Sequence, residues 1–235
     1  MITDTSEHCI GILILDTAFE RIPGDAGNAT TWNFPVRYKT VRDASALRVI
    51  DGQAEGLLDA FIEAGHELIR DGCSAITTTC GFLALYQEQL AEALPVPVAT
   101  SSLLQVPVAR RLLGRGRKVG VLTMDASRLT PRHLASVGIN ETIPMEGLPR
   151  DGVFWKMIAE NAPIDPEALQ AEVLEAGERL LSREPEVAAL VLECANMPPY
   201  AAALAARLQV PVFDIVTMVD WLAAGLAPHR YPWGA

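Results

Sequence analysis

The chain repeats itself, and the repeat sets a cysteine at the same place in each half. Ala75-Ile76-Thr77-Thr78-Thr79-Cys80 and Ala189-Leu190-Val191-Leu192-Glu193-Cys194 align at an offset of 114 residues. The same offset carries Tyr86 onto Tyr200, Leu90 onto Leu204, Leu94 onto Leu208, and Val96-Pro97-Val98 onto Val210-Pro211-Val212. An earlier match, Gly11-Ile12-Leu13-Ile14-Leu15-Asp16 on Gly120-Val121-Leu122-Thr123-Met124-Asp125, runs at an offset of 109. The mismatch between the offsets is the size of a loop insertion. Strand, cysteine, helix and next strand return in one order, so the chain should fold as two similar α/β lobes.

The intervening pattern agrees. Residues 10–15 form a short β-branched apolar run, the mark of a buried strand. Further strands are expected at 74–79, 97–100, 118–123, 187–192 and 210–213. Helical spacing is expected over 44–70 with an interruption near Asp51-Gly52, then over 81–94, 103–113, 131–137, 152–160, 166–182, 198–208 and 215–226. Residues 21–40 hold Pro23, Gly24, Gly27, Asn28 and Pro35 without helical period and read as one long loop. Strands that alternate with helices predict parallel sheets joined by right-handed crossovers. The fold class is therefore α/β, with two pseudosymmetric lobes, each a parallel sheet flanked by helices, and a cleft between them. The chain is expected to cross between lobes near 100–102 and 210–214. Residues 1–100 with 211–235 would make the first lobe, and 101–210 the second.

Half of the 235 residues are apolar, enough for a sizeable core in one large domain or two small lobes. The net charge of −10 argues against a nucleic-acid partner. The densest basic run, Arg110, Arg111, Arg115, Arg117 and Lys118, reads as the solvated end of a helix before a strand. Apolar runs are strand-sized, well short of the ~18 residues a membrane helix needs, so no membrane partner is expected. The N-terminus lacks a basic region followed by a long apolar stretch, so no signal segment is expected. Cys9, Cys73, Cys80 and Cys194 lack close metal-type spacing, and a reduced cytoplasmic protein without metal is the simplest reading.

Cys80 and Cys194 each end a strand and open a helix. Unpaired N–H groups and the helix dipole at such a place should lower a thiol pKa from ~8.5 toward neutrality. The same N–H groups can hold a substrate carboxylate. Neutral donors flank them at Thr77, Thr78, Thr79, Ser101 and Ser102. Two thiols across a planar carbon can remove a proton from one face and return one to the other, which inverts an acidic C–H without a cofactor. Cys9 and Cys73 lack that placement and read as buried core residues.

Thr77-Thr78-Thr79-Cys80-Gly81 and Leu192-Glu193-Cys194-Ala195-Asn196-Met197-Pro198 resemble the aspartate/glutamate/hydantoin racemase superfamily over essentially the whole chain. The resemblance implies two pseudosymmetric lobes, an interlobe cleft, opposed catalytic cysteines Cys80 and Cys194, and a dimer. Glutamate racemases typically carry Asn-Thr and Thr-His after their cysteines; this chain has Gly81-Phe82 and Ala195-Asn196. Cys194-Ala195 with Met197 looks closer to the hydantoin racemase branch. The arylmalonate decarboxylase branch works with one cysteine, whereas this chain keeps both. Ile22-Pro23-Gly24-Asp25 with Phe34-Pro35-Val36-Arg37-Tyr38 is similar to a segment of the algal dimethylsulfoniopropionate lyases.

Around the cysteines, Asp16, Thr17, Arg37, Thr79, Gly81, Phe82, Ser101, Thr123, Ala195 and Asn196 are the candidate substrate-binding residues. Asp16 and Thr17 follow the first strand, where ligands of α/β sheets gather. Arg37 could pair with a carboxylate in two-pronged fashion. Trp32 lies in the long loop expected over the cleft. Glu63 and His66 have metal-like spacing but no further ligands and read as a solvated helix face. Gly114, Gly116 and Gly120 precede a strand instead of following one, which is not a dinucleotide fingerprint. The expected activity is a cofactor-independent racemase or epimerase of a small amino-acid-like or hydantoin-like carboxylate. A β-elimination lyase is the alternative, and a non-catalytic ligand-binding module the third reading.

Overall fold

The computed structural model describes residues 8–229. Residues 1–7 and 230–235 lie outside them, and with them most of the stretch read for a signal segment. The first lobe runs through β1 (Cys9–Leu15), β2 (Val36–Val41), α1 (Ala46–Ile50), α2 (Leu58–Arg70), β3 (Cys73–Thr78), α3 (Gln87–Ala93) and β4 (Val98–Ala99). After α4 (Val106–Leu112) the second lobe repeats the order as β5 (Lys118–Thr123), α5 (Pro131–Ala135), β6 (Met145–Gly147), α6 (Val153–Glu160), α7 (Pro166–Arg183), β7 (Val187–Leu192), α8 (Ala201–Leu208) and β8 (Val212–Phe213). The last described helix is α9 (Ile215–Leu226).

The two sheets have the strand orders β2-β1-β3-β4 and β6-β5-β7-β8, with all pairs parallel. Their register repeats as well: Gly11 sits beside Ile76 as Gly120 sits beside Leu190. Both glycines are there because a helix comes close. A Cβ on Gly11 would stand 2.6 Å from Ile76 and 3.0 Å from Leu68 of α2; one on Gly120 would stand 2.9 Å from Leu180 of α7. Leu68 and Leu180 are both buried against their sheets. Burial of each such side chain contributes roughly 1.5–3 kcal/mol. Helix α9 packs Ile215, Met218 and Val219 with Ile10 and Ile12 of β1, Ala75 of β3 and Ala99 of β4.

Three local expectations need correction. Residues 21–40 are not one loop, because their end is strand β2. That strand is largely half-buried or exposed on a sheet edge, and Arg37, Lys39 and Thr40 interrupt its apolar pattern. Strand β6 gave no sequence signal, being three half-buried residues on the equivalent edge. The helices expected at 81, 103 and 198 begin as 3-10 turns (Gly81–Tyr86, Ser102–Gln105 and Pro198–Tyr200) before α3, α4 and α8. Among the described residues no helix is long and apolar enough to cross a membrane.

Candidate active site

The carboxyl ends of β3 and β7 bring Cys80 and Cys194 to the wall of one cavity. Each thiol follows its strand by two residues, and each residue is 8% exposed. Leu15 from the end of β1, Thr17, Phe19 and Arg21 from the segment after it, Met124 from just beyond β5, and Ala46, Ile50 and Ile158 from α1 and α6 add to the wall. The cavity volume is about 20 Å³, room for about one water molecule. An outer hollow of about 290 Å³ adjoins it and shares Thr17, Ala46 and Ile158.

The two turns are built by matching backbone bonds. Thr79 N–H donates to the Leu13 carbonyl at 3.1 Å, and Glu193 N–H to the Leu122 carbonyl at 2.8 Å. In the first turn, Thr79 Oγ1 accepts from Leu15 N–H at 3.2 Å, and Thr78 Oγ1 accepts from Cys80 N–H at 3.3 Å. In the second, Thr123 Oγ1 donates to Glu193 Oε2 at 2.7 Å. Ser102 ties the lobes together by donating to the Leu192 carbonyl at 2.6 Å.

The first part of the expected covering loop does reach the cleft. Arg21 Nη1 donates to Asp25 Oδ1 at 2.9 Å, and Asn196 Nδ2 donates to Asp25 Oδ2. Cys194 Sγ donates to Asn196 Oδ1 at 3.6 Å. Ala26 N–H donates to the Ala195 carbonyl at 3.2 Å, which seats the loop directly on the Cys194 turn. Trp32 turns away into the core, its Nε1 donating to the Ala26 carbonyl at 3.3 Å.

Thr17, Thr79, Cys80, Gly81, Phe82, Cys194, Ala195 and Asn196 therefore meet at one cavity. Thr123 stands behind it as the partner of Glu193. Three expected residues lie elsewhere. Asp16 is exposed and lines the outer hollow. Ser101 caps the turn before α4, accepting from Leu103 N–H at 3.2 Å. Arg37 lies on edge strand β2, exposed, near the amino end of the sheet. Cys9 and Cys73 are buried at that same end, with their sulfurs 3.4 Å apart.

Glu193, Arg21 and Asp25 were not among the expected site residues. Glu193 stood in the quoted motif, and its signal was the placement of a carboxylate inside an apolar strand end beside a cysteine. Asp25 stood in the lyase-like segment Ile22-Pro23-Gly24-Asp25 and Arg21 gave no signal; only the fold of the loop turns both inward.

The electrostatics reverse one expectation. Burial pushes the Cys80 thiol up to about 12, and neighbouring Glu193 adds to the rise; N–H groups of Phe82 and Leu83 and the Arg21 charge pull the other way. Burial and Glu193 likewise raise Cys194 well above the usual thiol range. The thiols are not lowered toward neutrality, because their burial removes the water that would solvate a thiolate. Burial also raises Glu193 to about 7.

The Asp/Glu/hydantoin racemase family model matches residues 36–223. The chain belongs to that family. Among curated proteins it is similar to a dimethylsulfoniopropionate lyase of Durusdinium sp. clade D, at 23% identity over 94% of this chain and 75% of that protein. It is similar to dimethylsulfoniopropionate lyase 5 of Emiliania huxleyi (strain CCMP1516) at 26% identity over 91% of this chain, yet it spans only 44% of that protein's length. Arylmalonate decarboxylase shares the fold of this family member with a TM-score of 0.63 at 18% identity, covering 95% of this chain and 94% of that one. Allantoin racemase from Klebsiella pneumoniae does so with a TM-score of 0.64 at 15% identity, covering 93% and 87%.

Proposed function

We propose that this member of the racemase family is a cofactor-independent racemase or epimerase that moves the α-proton of a small amino-acid-like or hydantoin-like carboxylate. The observation that carries the reading is the placement of two buried thiols, at repeat-related strand ends, on one cavity. One cysteine, as thiolate, takes the α-proton and becomes a thiol. The electron pair left on the α-carbon is delocalised into the carboxylate. The other cysteine, as thiol, gives its proton to the opposite face and becomes a thiolate. Proton and charge balance, and the reverse direction exchanges the two roles. A cationic group on the substrate would replace the solvation that burial denies the thiolate. Thr79, Gly81, Ala195 and Asn196 would position the carboxylate.

The relatives favour a second reading. In β-elimination the thiolate takes the same α-proton, the Cα–Cβ double bond forms, and the β-substituent leaves with its bonding electrons. Proton washout in D2O, followed by NMR over a panel of amino acids, hydantoins and β-substituted carboxylates, tests both. Exchange of the α-proton with loss of optical activity and no loss of substrate supports racemisation. A new alkene signal replaces it with elimination. Absence of either on every compound removes both readings and leaves ligand binding.

A further inference from the structure

The side chain of Glu193 is the least conventional group at the cavity. It is 1% exposed, and Thr123 supplies its hydrogen bond at Oε2, while Oε1 has no hydrogen-bond partner. Thr123 and the Met124 N–H favour an ionised carboxylate, but it would keep Oε1 unsatisfied in a buried site, at a cost of several kcal/mol. The one arginine on the cavity wall, Arg21, is already bonded to Asp25 and Thr17. The surroundings therefore hold Glu193 as the neutral acid, in keeping with the rise produced by its burial. With Thr123 donating to Oε2, the acid proton belongs on Oε1.

Space has been kept for that oxygen. A Cβ on Gly81 would fall 2.2 Å from the Glu193 carbonyl oxygen and 2.4 Å from Oε1, so only glycine allows the two turns to meet here. Gly81 directly follows Cys80, and Glu193 directly precedes Cys194; all four line the same cavity. The remaining charged groups around it are Arg21 and, behind Asn196, Asp25.

We infer that Glu193 is a substrate-contacting acid: its neutral Oε1–H donates to the substrate carboxylate and stabilises the second negative charge that builds there as the α-proton leaves. The role rests on the α-proton chemistry proposed above. A donor aimed at developing charge in a water-excluded site acts on the transition state more than on the ground state. A carboxylic acid kept neutral by an apolar setting is one known way to supply such a donor. No proton is lost from Glu193 over the cycle; Cys80 and Cys194 carry the transfer.

Two experiments decide it. The first needs no turnover. An infrared difference spectrum of the protein against Glu193→Gln, near neutral pH, should show the carbonyl band of a protonated carboxyl, and that band should shift when propionate, which has no β-leaving group, is added. A spectrum with only ionised-carboxylate bands, or a protonated band that propionate does not move, overturns the inference. The second uses α-proton exchange with whichever panel compound reacts. Glu193→Leu should lower kcat by roughly 10²–10³-fold with a smaller change in KM, as loss of one such donor does. Glu193→Gln keeps an N–H donor in place and should stay within about 10-fold of the parent. It should also lose the fall in rate that the parent shows as pH rises through about 7. A Gln variant with the parent's pH profile, or a Leu variant with the parent's kcat, overturns the role. If the parent is silent on every compound, the proposed function fails, while the infrared result still decides Glu193.

Discussion

The Cys80 turn and the Cys194 turn occupy equivalent places on equivalent sheets, yet their chemistry differs. The residue before the cysteine is Thr79 in one and Glu193 in the other. Cys80 has the N–H groups of Phe82 and Leu83 beside it and feels Arg21. Cys194 has the Asn196 N–H beside it, donates to Asn196 Oδ1, which belongs to a side chain held by Asp25, and feels Asp25. The loop after β1 contacts only the second turn in this way; in the second lobe, Asp125 turns instead to Arg150. A repeated scaffold thus fixes where the thiols stand, while unmatched residues give the two turns different polar neighbours.

The sharpest test of that asymmetry is substitution of each thiol. Cys80→Ser and Cys194→Ser should each lower racemisation by about 10³-fold or more, since a two-base mechanism needs both groups. Single-turnover deuterium exchange should survive in Cys80→Ser for one enantiomer and in Cys194→Ser for the other. Wild-type racemisation in both serine variants would end the two-base reading. Loss of an elimination in one variant and its retention in the other would favour the lyase.

A smaller effect separates the loop's contribution. Asp25→Ala leaves the largely buried Arg21 without its carboxylate partner and Asn196 without its acceptor. Breaking a buried pair in this way costs about 3 kcal/mol, read from urea unfolding. Thiol alkylation should change at Cys194 more than at Cys80, and equal changes at both would contradict the asymmetry.

Stability against pH should divide along the same line. Glu193 has a folded pKa raised from 4.5 to about 7, so the folded chain binds more protons than the unfolded one between those values. Its presence should therefore lower stability as pH rises from about 4.5 to 7, by roughly 3 kcal/mol in all. Buried His133 has the opposite sign. Burial and the nearby Arg132 lower it from 6.5 to about 4, so stability is lost as pH falls through that window. Melting curves of Glu193→Gln should lose the first slope and keep the second; an unchanged slope above pH 4.5 would show that Glu193 is ionised in the folded chain.

The smallest effect is expected at a surface link between the lobes. Arg150 bonds Asp125 at 2.6 Å and Asp51 at 2.8 Å, but its side chain is half exposed. Arg150→Ala should cost no more than about 1 kcal/mol, and less at high salt. A loss as large as that of Asp25→Ala would mean that this surface clasp, and not the buried loop contact, holds the lobes together.

Much of this was legible in the residues. The repeat predicted the paired sheets because apolar strand runs, and glycines such as Gly11 and Gly120, must recur wherever the same helix-on-sheet packing recurs. The thiol positions followed, since a residue just past a parallel strand's carboxyl end faces the cleft. Edge strands β2 and β6 were not legible, because half-exposed strands carry a weak apolar pattern. Arg37 was misplaced for the same reason: a residue assigned to a loop was in fact a rung of an edge strand, at the end of the sheet away from the cavity.

The sequence by itself determined the α/β class, the doubled lobe and the two cysteines, all of which follow from local periodicity and its repetition. Only the tertiary structure decided that Glu193 sits dry against Gly81, that Arg21 and Asp25 reach the second lobe, and that both thiols are raised instead of lowered. Those outcomes depend on burial and on contacts between residues as much as 171 positions apart. Desolvation and long-range pairing belong to the folded cavity as a whole, and no short stretch of sequence encodes them.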